Sequence, residues 1–265
     1  MKAQINGISL AYTDKGAGLP VVFLHAFPLN RTMWDAQEEA LASRHRVITI
    51  DLRGHGESDA PLWHYTLEQA ADDVRTLLDH LSVPQAAFVG LSMGGYILFT
   101  FYRKFADRVK GLILADTRAQ ADTPEGRTGR FQMAQVAYTQ GPAAVADLMI
   151  PRLLSPGTIQ AKPTLVQNVR SMIEGNQISG IAGDLMAMAE RPDSTPLLRQ
   201  ITCPAQIIVG ELDVATPPAD SQLMAGQTPR AQLAMIPGAA HLSNLEQPEL
   251  FNRIVGDFLP NCSQG

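Results

Sequence analysis

The segment Phe88-Val89-Gly90-Leu91-Ser92-Met93-Gly94-Gly95-Tyr96 constrains this chain more than any other. It sets Gly-x-Ser-x-Gly between an apolar run that reads as a strand, Ala86–Val89, and a helical pattern, Met93–Lys104. A strand that turns sharply into a helix forces the residue at the turn into strained backbone geometry. It also pushes that side chain out beyond the carboxyl edge of the sheet. Cβ atoms at the flanking glycines would collide with the neighbouring strand and helix. The chain is therefore expected to build a sheet covered by helices, with Ser92 presented at its edge.

The rest of the sequence agrees with such a sheet. Ile8–Tyr12 alternates after an Asn6-Gly7 turn and reads as a hairpin strand. Val21–Leu24, Val47–Ile50 and Leu112–Ala115 are continuous apolar runs, the pattern of strands buried on both faces. Leu67–Leu81 carries apolar residues at helical spacing behind Thr66, a good N-cap. Strands and helices in this alternation predict a mostly parallel sheet with helices on both faces.

The rhythm breaks between Ala119 and Gln200, where helical patterns begin near Pro124, Pro142, Pro163 and Gln177. It returns with strands at Gln206–Val209 and Gln232–Ile236 and a last helix from Pro248 to Leu259. Residues 1–118 and 201–265 are thus expected to form one α/β core, interrupted by a helical insert over 119–200. A chain of 265 residues, 45% of them hydrophobic, can bury one sizeable core.

Charge and cysteine content narrow the function. Lys plus Arg total 21 and Asp plus Glu total 26, so the net charge is 21 − 26 = −5. An acidic chain argues against nucleic acid or an anionic membrane as partner. Two cysteines, Cys203 and Cys262, build no disulfide framework. The first residues lack the apolar run of a signal peptide, and no stretch reaches the ~20 apolar residues of a membrane span. The cytoplasm is the default location, and self-association is left open.

A serine hydroxyl is a weak nucleophile and needs a histidine base, itself oriented by a carboxylate. In a strand–turn–helix arrangement the chain order is Ser, then acid, then His. His241 is the one histidine after Ser92, in a loop that follows a strand. Asp213, with Glu211 beside it, lies on the loop after Gln206–Val209. Asp116 is a rival acid, because it ends the strand after the elbow helix; its other reading is a cap for the loop entering the insert. An oxyanion hole needs two backbone N–H donors. Met93, next after the nucleophile, and Phe27, in the His25–Pro28 loop, are the candidates. His25 reads as structural. Asp51–Ser58 reads as a turn at the sheet edge, with Arg53 pairing locally. His45, His55, His64 and His80 are not spaced as metal ligands, so no metal and no cofactor are expected.

Together, His25–Pro28, Asp51–Ser58, Gly90–Gly95, Asp213 and His241 resemble the α/β-hydrolase fold family over nearly the whole chain. Within it the closest likeness is to small carboxylesterases and 3-oxoadipate enol-lactonases, which place a helical cap where the insert falls. The resemblance implies Ser92 as nucleophile, Asp213 as acid, His241 as base, and Phe27 and Met93 as oxyanion donors. Ala26 stands where many members carry glycine. Relatives with an aspartate nucleophile are disfavoured by the serine at position 92.

The expected activity is hydrolysis of a small-molecule carboxylic ester or lactone through an acyl-serine. Enol-lactonase action, or perhydrolase and haloperoxidase action with peroxide as acceptor, would use the same triad. A dinucleotide-binding oxidoreductase is disfavoured, because Ser92 occupies the position where pyrophosphate needs glycine. A non-catalytic ligand receptor would lack a triad member, and none is missing. The insert holds five of the ten methionines, Met133, Met149, Met172, Met186 and Met188, which suit either an adaptable pocket or gap-filling. A dicarboxylate substrate would want a cation there, and Arg118, Arg127 and Arg130 lie in its first stretch.

Overall fold

A computed structural model describes residues 1–62 and 64–263. Eight strands form one sheet: β1 (Lys2–Ile5), β2 (Ile8–Lys15), β3 (Pro20–Leu24), β4 (Arg46–Ile50), β5 (Ala86–Leu91), β6 (Val109–Ala115), β7 (Ala205–Gly210) and β8 (Ala231–Ile236). Their order is β1-β2-β4-β3-β5-β6-β7-β8. The β1–β2 and β2–β4 pairs are antiparallel and all others parallel. The continuous apolar runs become the central strands; every residue of β5 and β7 is buried.

Helices α1 (Asp35–Leu41), α2 (Leu67–His80) and α3 (Met93–Phe105) come from the first half of the chain. The N-cap expected at Thr66 is a full capping box. Gln69 N–H donates to Thr66 Oγ1 (3.0 Å), and Thr66 N–H donates to the Gln69 side chain (3.3 Å). Between β6 and β7 run α4 (Pro124–Leu153), α5 (Pro156–Ala161), α6 (Pro163–Glu174), α7 (Ile178–Glu190) and α8 (Thr195–Leu198). The two helical starts expected at Pro124 and Pro142 are the two halves of α4, broken at Gly141 with φ 82°. Then follow α9 (Pro218–Gln227), α10 (Ser243–Glu246) and α11 (Pro248–Phe258).

The insert is not a separate globule. Ala137, Val145, Ile173, Ile181 and Leu185 join the same buried cluster as Val22, Phe23, Phe88 and Leu114 of the sheet. Among the described residues, no helix is long and apolar enough to cross a membrane.

The order of the sheet determines where a ligand can sit. From β3 the chain moves to β4 on one side and then to β5 on the other. The loops after β3 and β5 therefore part at the carboxyl edge and open a crevice. One loop carries Phe27 and the other Ser92.

Two readings of the sequence are corrected here. Arg53 does not pair within its own turn. It forms a two-pronged bond with Asp73 on α2, at 2.9 and 3.0 Å. The turn is organised instead by buried Asp51, which accepts the N–H groups of Arg31 (2.7 Å) and Glu57 (2.9 Å). Asp116 does not cap the loop into the insert. Its Oδ1 accepts the Gly210 N–H (2.7 Å) and its Oδ2 accepts the Ser243 hydroxyl, so it ties β6 to the ends of β7 and the His241 loop.

Candidate active site

Ser92 sits between β5 and α3 with φ 53° and ψ −110°, a left-handed backbone that a non-glycine residue adopts only under constraint. The constraint is visible on both sides. Ser92 N–H donates to Ala115 O on β6 (3.0 Å), and Ser92 O accepts the Thr117 hydroxyl (2.8 Å). The flanking glycines permit the approach. A Cβ at Gly94 would lie 2.3 Å from Leu24 O, and one at Gly90 would lie 2.5 Å from the Gly94 backbone.

The loops after β7 and β8 bring Asp213 and His241 together. His241 Nδ1–H donates to Asp213 Oδ2 at 2.8 Å, which leaves the lone pair on Nε2. Both residues are 3% exposed, so little water competes for the bond. Asp213 is held in turn by the N–H groups of Ala215 (2.8 Å) and Thr216 (2.9 Å) on Oδ1 and by the Thr216 hydroxyl (2.7 Å) on Oδ2. Burial pushes the Asp213 pKa up. The His241 charge and the bonds from His241 and Thr216 outweigh it and hold the carboxyl below the usual range.

Asp116 is in a different state. Its oxygens face Gly210 and Ser243, not the imidazole. Burial and the nearby Asp213 charge raise its pKa well above the usual range, and the bonds from Ser243 and Gly210 offset this only in part. Two adjacent buried carboxylates cannot both carry full charge cheaply, and the environment favours the charge on Asp213 over Asp116. Glu211, the other acid near Asp213, is exposed and accepts the Gly238 N–H (3.0 Å).

Ser92, His241 and Phe27 line one cavity of about 360 Å³. Met93 is the first residue of α3, so its N–H has no acceptor within the helix. The insert supplies the opposite wall, including Met133, Met149 and Met188. Of the other two insert methionines, Met172 is buried in the core and Met186 lines a separate groove beside Tyr65 and Tyr138.

Arg118 and Arg130 reach the cavity and Arg127 does not. Both are already paired: Arg130 with Asp122 (2.6 Å), and Arg118 with Asp220 (3.4 Å) and the Ala215 carbonyl. Asp122 also binds Arg191 (2.8 Å), whose guanidinium lies 4.1 Å over the Tyr96 ring. Sequence reasoning missed Arg152, which lines the cavity from the last turn of α4 and has no ion-pair partner among the described residues. Only its place beside Leu153, on a helix face turned to the cavity, distinguishes it from a solvated surface arginine.

Among the described residues, no group of three or more His, Cys, Asp or Glu is placed to hold a metal ion. Cys203 and Cys262 are free thiols.

Known proteins share this architecture along its full length. The sequence profile of the alpha/beta hydrolase fold matches residues 20–248. The 3-oxoadipate enol-lactonase 2 of Acinetobacter baylyi is 33% identical over 95% of this chain and 91% of its own. A thermophilic esterase from Thermogutta terrifontis, solved with malate bound, is 42% identical with a TM-score of 0.95, covering 99% of this chain and 98% of that one. The enol-lactonase from Burkholderia xenovorans LB400 is 32% identical with a TM-score of 0.92, over 98% and 100% of the two chains. With the strained serine at the end of β5, the crevice beside it and these full-length matches, the chain belongs to the alpha/beta hydrolase fold family.

Proposed function

We propose that this protein hydrolyses a carboxylic ester or lactone through an acyl-Ser92 intermediate. The observation that carries the reading is the His241–Asp213 bond of 2.8 Å beside a cavity that Ser92 also lines. His241 Nε2 takes the Ser92 proton as Oγ attacks the carbonyl carbon. The oxyanion that forms accepts the N–H groups of Phe27 and Met93. Collapse breaks the C–O bond, and His241 returns the proton to the leaving alkoxide. In a lactone the alcohol stays attached to the acyl chain. Water, deprotonated by the same imidazole, then attacks the acyl carbon and releases Ser92. Asp213 fixes the Nδ1–H tautomer and stabilises the imidazolium. The segment 119–200 acts as a cap that shapes the acyl pocket.

A narrower reading, a substrate that itself bears a carboxylate, is favoured by Arg152, the unpaired cation on the wall. The malate-bound esterase and the enol-lactonases among the relatives support the same reading. p-Nitrophenyl acetate and butyrate, a half-ester of a dicarboxylic acid, and an enol-lactone, assayed side by side, separate the two readings. A higher kcat/KM for the anionic substrates, lost in Arg152→Gln, supports the narrower one. Neutral esters turned over equally well leave only the broader one.

For the mechanism itself, a fluorophosphonate should label Ser92. Ser92→Ala should fold and lose about 10⁴-fold or more in kcat. Retention of more than about a tenth of the activity would remove Ser92 from the role of nucleophile.

A further inference from the structure

The loop that carries His241 is gripped from two directions. From the core, Asp213 holds the imidazole and Asp116 holds Ser243, two residues further on. The other grip comes from the insert. Leu242 N–H donates to Leu153 O (3.0 Å) at the end of α4. Ala240 N–H donates to Glu246 Oε1 (2.7 Å). The other carboxylate oxygen of Glu246 accepts the Ser155 N–H (3.0 Å) and the Ser155 hydroxyl (2.6 Å) at the start of α5. Lys162 Nζ donates to the Glu246 backbone carbonyl (2.8 Å). Glu246 is 1% exposed.

A buried carboxylate is costly unless donors surround it, and this one takes three from two distant parts of the chain. The residues on either side of His241 are thus both tied to 153–155, Ala240 through the Glu246 carboxylate and Leu242 directly. That stretch continues directly into the cavity wall, where Met149, Arg152 and Leu153 stand.

We propose that Glu246 is a positioning residue: it couples the substrate-holding wall of the insert to the His241 imidazole. The proposal rests on the acyl-serine reading of Ser92 and His241. An acyl group long enough to press on Met149, Arg152 and Leu153 then bears on the same segment that holds Ala240 and Leu242. Such a group gains in kcat and not only in KM, whereas an acetyl group does not reach the wall and gains nothing. The titratable groups near the loop are Asp213, Asp116 and Glu211 from the core, Glu246 itself, and Lys162 and Arg152 from the insert.

The test is a graded pair of variants in the full-length protein. Glu246→Gln keeps an acceptor for Ala240 N–H and can donate to the Ser155 hydroxyl. Glu246→Leu removes every acceptor. A base displaced by a fraction of an ångström to 1 Å costs up to ~10²-fold. We expect Glu246→Leu to lose about 30- to 100-fold in kcat on p-nitrophenyl butyrate, on that same scale. KM should stay within about threefold, and the Gln variant should lose only a small part of this. The ratio of kcat for butyrate over acetate should collapse toward one in the Leu variant.

A purely structural role would lower Tm and leave the butyrate-to-acetate ratio in place. That result, in folded protein by circular dichroism, overturns the proposal. If the Leu variant does not fold, Ser155→Ala removes one of the three donors to Glu246, together with the cap that accepts the Thr158 N–H (3.2 Å). It should then reproduce a smaller kcat loss with the same change in ratio; wild-type values in both Ser155→Ala and Glu246→Gln overturn the coupling. Should Ser92→Ala keep its activity, the acyl-serine reading falls and this proposal with it. Should Ser92→Ala be dead and the Glu246 series flat, only the coupling falls.

Discussion

The sheet and the insert of this protein solve different problems. In the sheet, β5 and β7 are buried at every residue, and the residues that leave β5 and β6 are tied down by backbone bonds, Ser92 N–H to Ala115 O and Asp116 N–H to Ile208 O. Side chains leaving such strand ends have little freedom, which is what a nucleophile and its base need. The insert is all helix, its longest helix is broken at Gly141, and it leaves Phe131, Tyr138 and Leu148 exposed. Its cavity wall is built from methionines and arginines with several rotatable bonds each. Under the proposed mechanism the chemical step belongs to the sheet and the choice of substrate to the insert. The contrast breaks if a change in the sheet alters only selectivity, or if a change in the wall alters all substrates alike.

The largest effect is expected within the sheet, between two aspartates one strand apart. Asp213→Asn keeps the volume but can leave His241 in the wrong tautomer, at a cost of up to ~10⁴ in kcat. Asp116→Asn should cost at most about tenfold on the same scale, because Asp116 contacts Gly210 and Ser243 and not the imidazole, and Asn can keep both partners. Its carbonyl accepts the Gly210 N–H, and its amide can donate to Ser243, whose hydroxyl turns to accept. Steady-state kinetics on one neutral ester decide the matter. A dead Asp116 variant beside an active Asp213 variant would transfer the role of acid to β6. Activity lost only in the double variant would mean that the two sites substitute for one another.

The sheet and the insert also differ in how much of them the sequence discloses. A strand buried on both faces must be apolar throughout, so Val21–Leu24, Val47–Ile50 and Leu112–Ala115 could be placed by eye, as could the Gly-x-Ser-x-Gly turn whose glycines pack backbone on backbone. The Thr66 cap was equally plain. Helices that bury little were not. In α9 only Ser221 and Met224 are buried, and α5 and α8 are six and four residues long, too short for a periodicity to appear. Polar side chains were the least legible. Arg53 finds Asp73 twenty residues away, and Asp116 finds Ser243 at a separation of 127. Glu246, in Asn244-Leu245-Glu246-Gln247, looks like any solvated helix acid until the fold closes over it. Long-range partners of single polar atoms leave no pattern in a single sequence.

A smaller effect is expected in the wall. Met133 lines the cavity and is only half-buried, so Met133→Ala should shift the ranking of acetate, butyrate and hexanoate esters by several-fold. That scale is set by the ~1–3 kcal/mol that a methylene or two is worth in an apolar pocket. Turnover of acetate should hardly change. Met188 is a less clean probe. It is 1% exposed and its sulfur accepts a bond from Arg130 at 3.3 Å, so truncation also removes core packing. Equal losses on every ester in Met133→Ala would make the wall a support for the chemistry, and the contrast with the sheet would fail.

The smallest effect concerns stability and returns to the sheet edge. His25 precedes the Phe27 loop and is fully buried; its Nδ1–H donates to Ala26 O (3.0 Å) and its Nε2 accepts the Leu52 N–H (3.0 Å). Burial lowers its pKa to about 4, with the Ala26 bond offsetting only a little. His55, its ring tilted by 54° and centred 5.2 Å away, is lowered to about 3 by burial and then by the His25 charge. In the unfolded chain both would titrate near ~6.5. Between pH 6.5 and 4 the unfolded chain therefore binds protons that the fold refuses. The stability linked to His25 is complete above pH 6.5 and is lost as pH falls toward 4, with a slope approaching ~1.4 kcal/mol per pH unit. Asp116 and Asp184 act in the opposite sense, because burial raises their pKa values and the fold keeps protons that the unfolded chain releases. The wild-type pH profile is thus a difference of two trends, and a single variant separates them. His25→Gln retains an acceptor for the Leu52 N–H and removes one titrating group. Its Tm should fall less than that of wild type between pH 7 and pH 5, by several degrees, since ~2 kcal/mol corresponds to roughly 4–8 °C in a domain of this size. Parallel Tm curves for the two proteins would mean that the fold does not disfavour a protonated His25, contrary to its two bonds. The loop that carries Phe27 would then rest on an imidazole free to take up a proton.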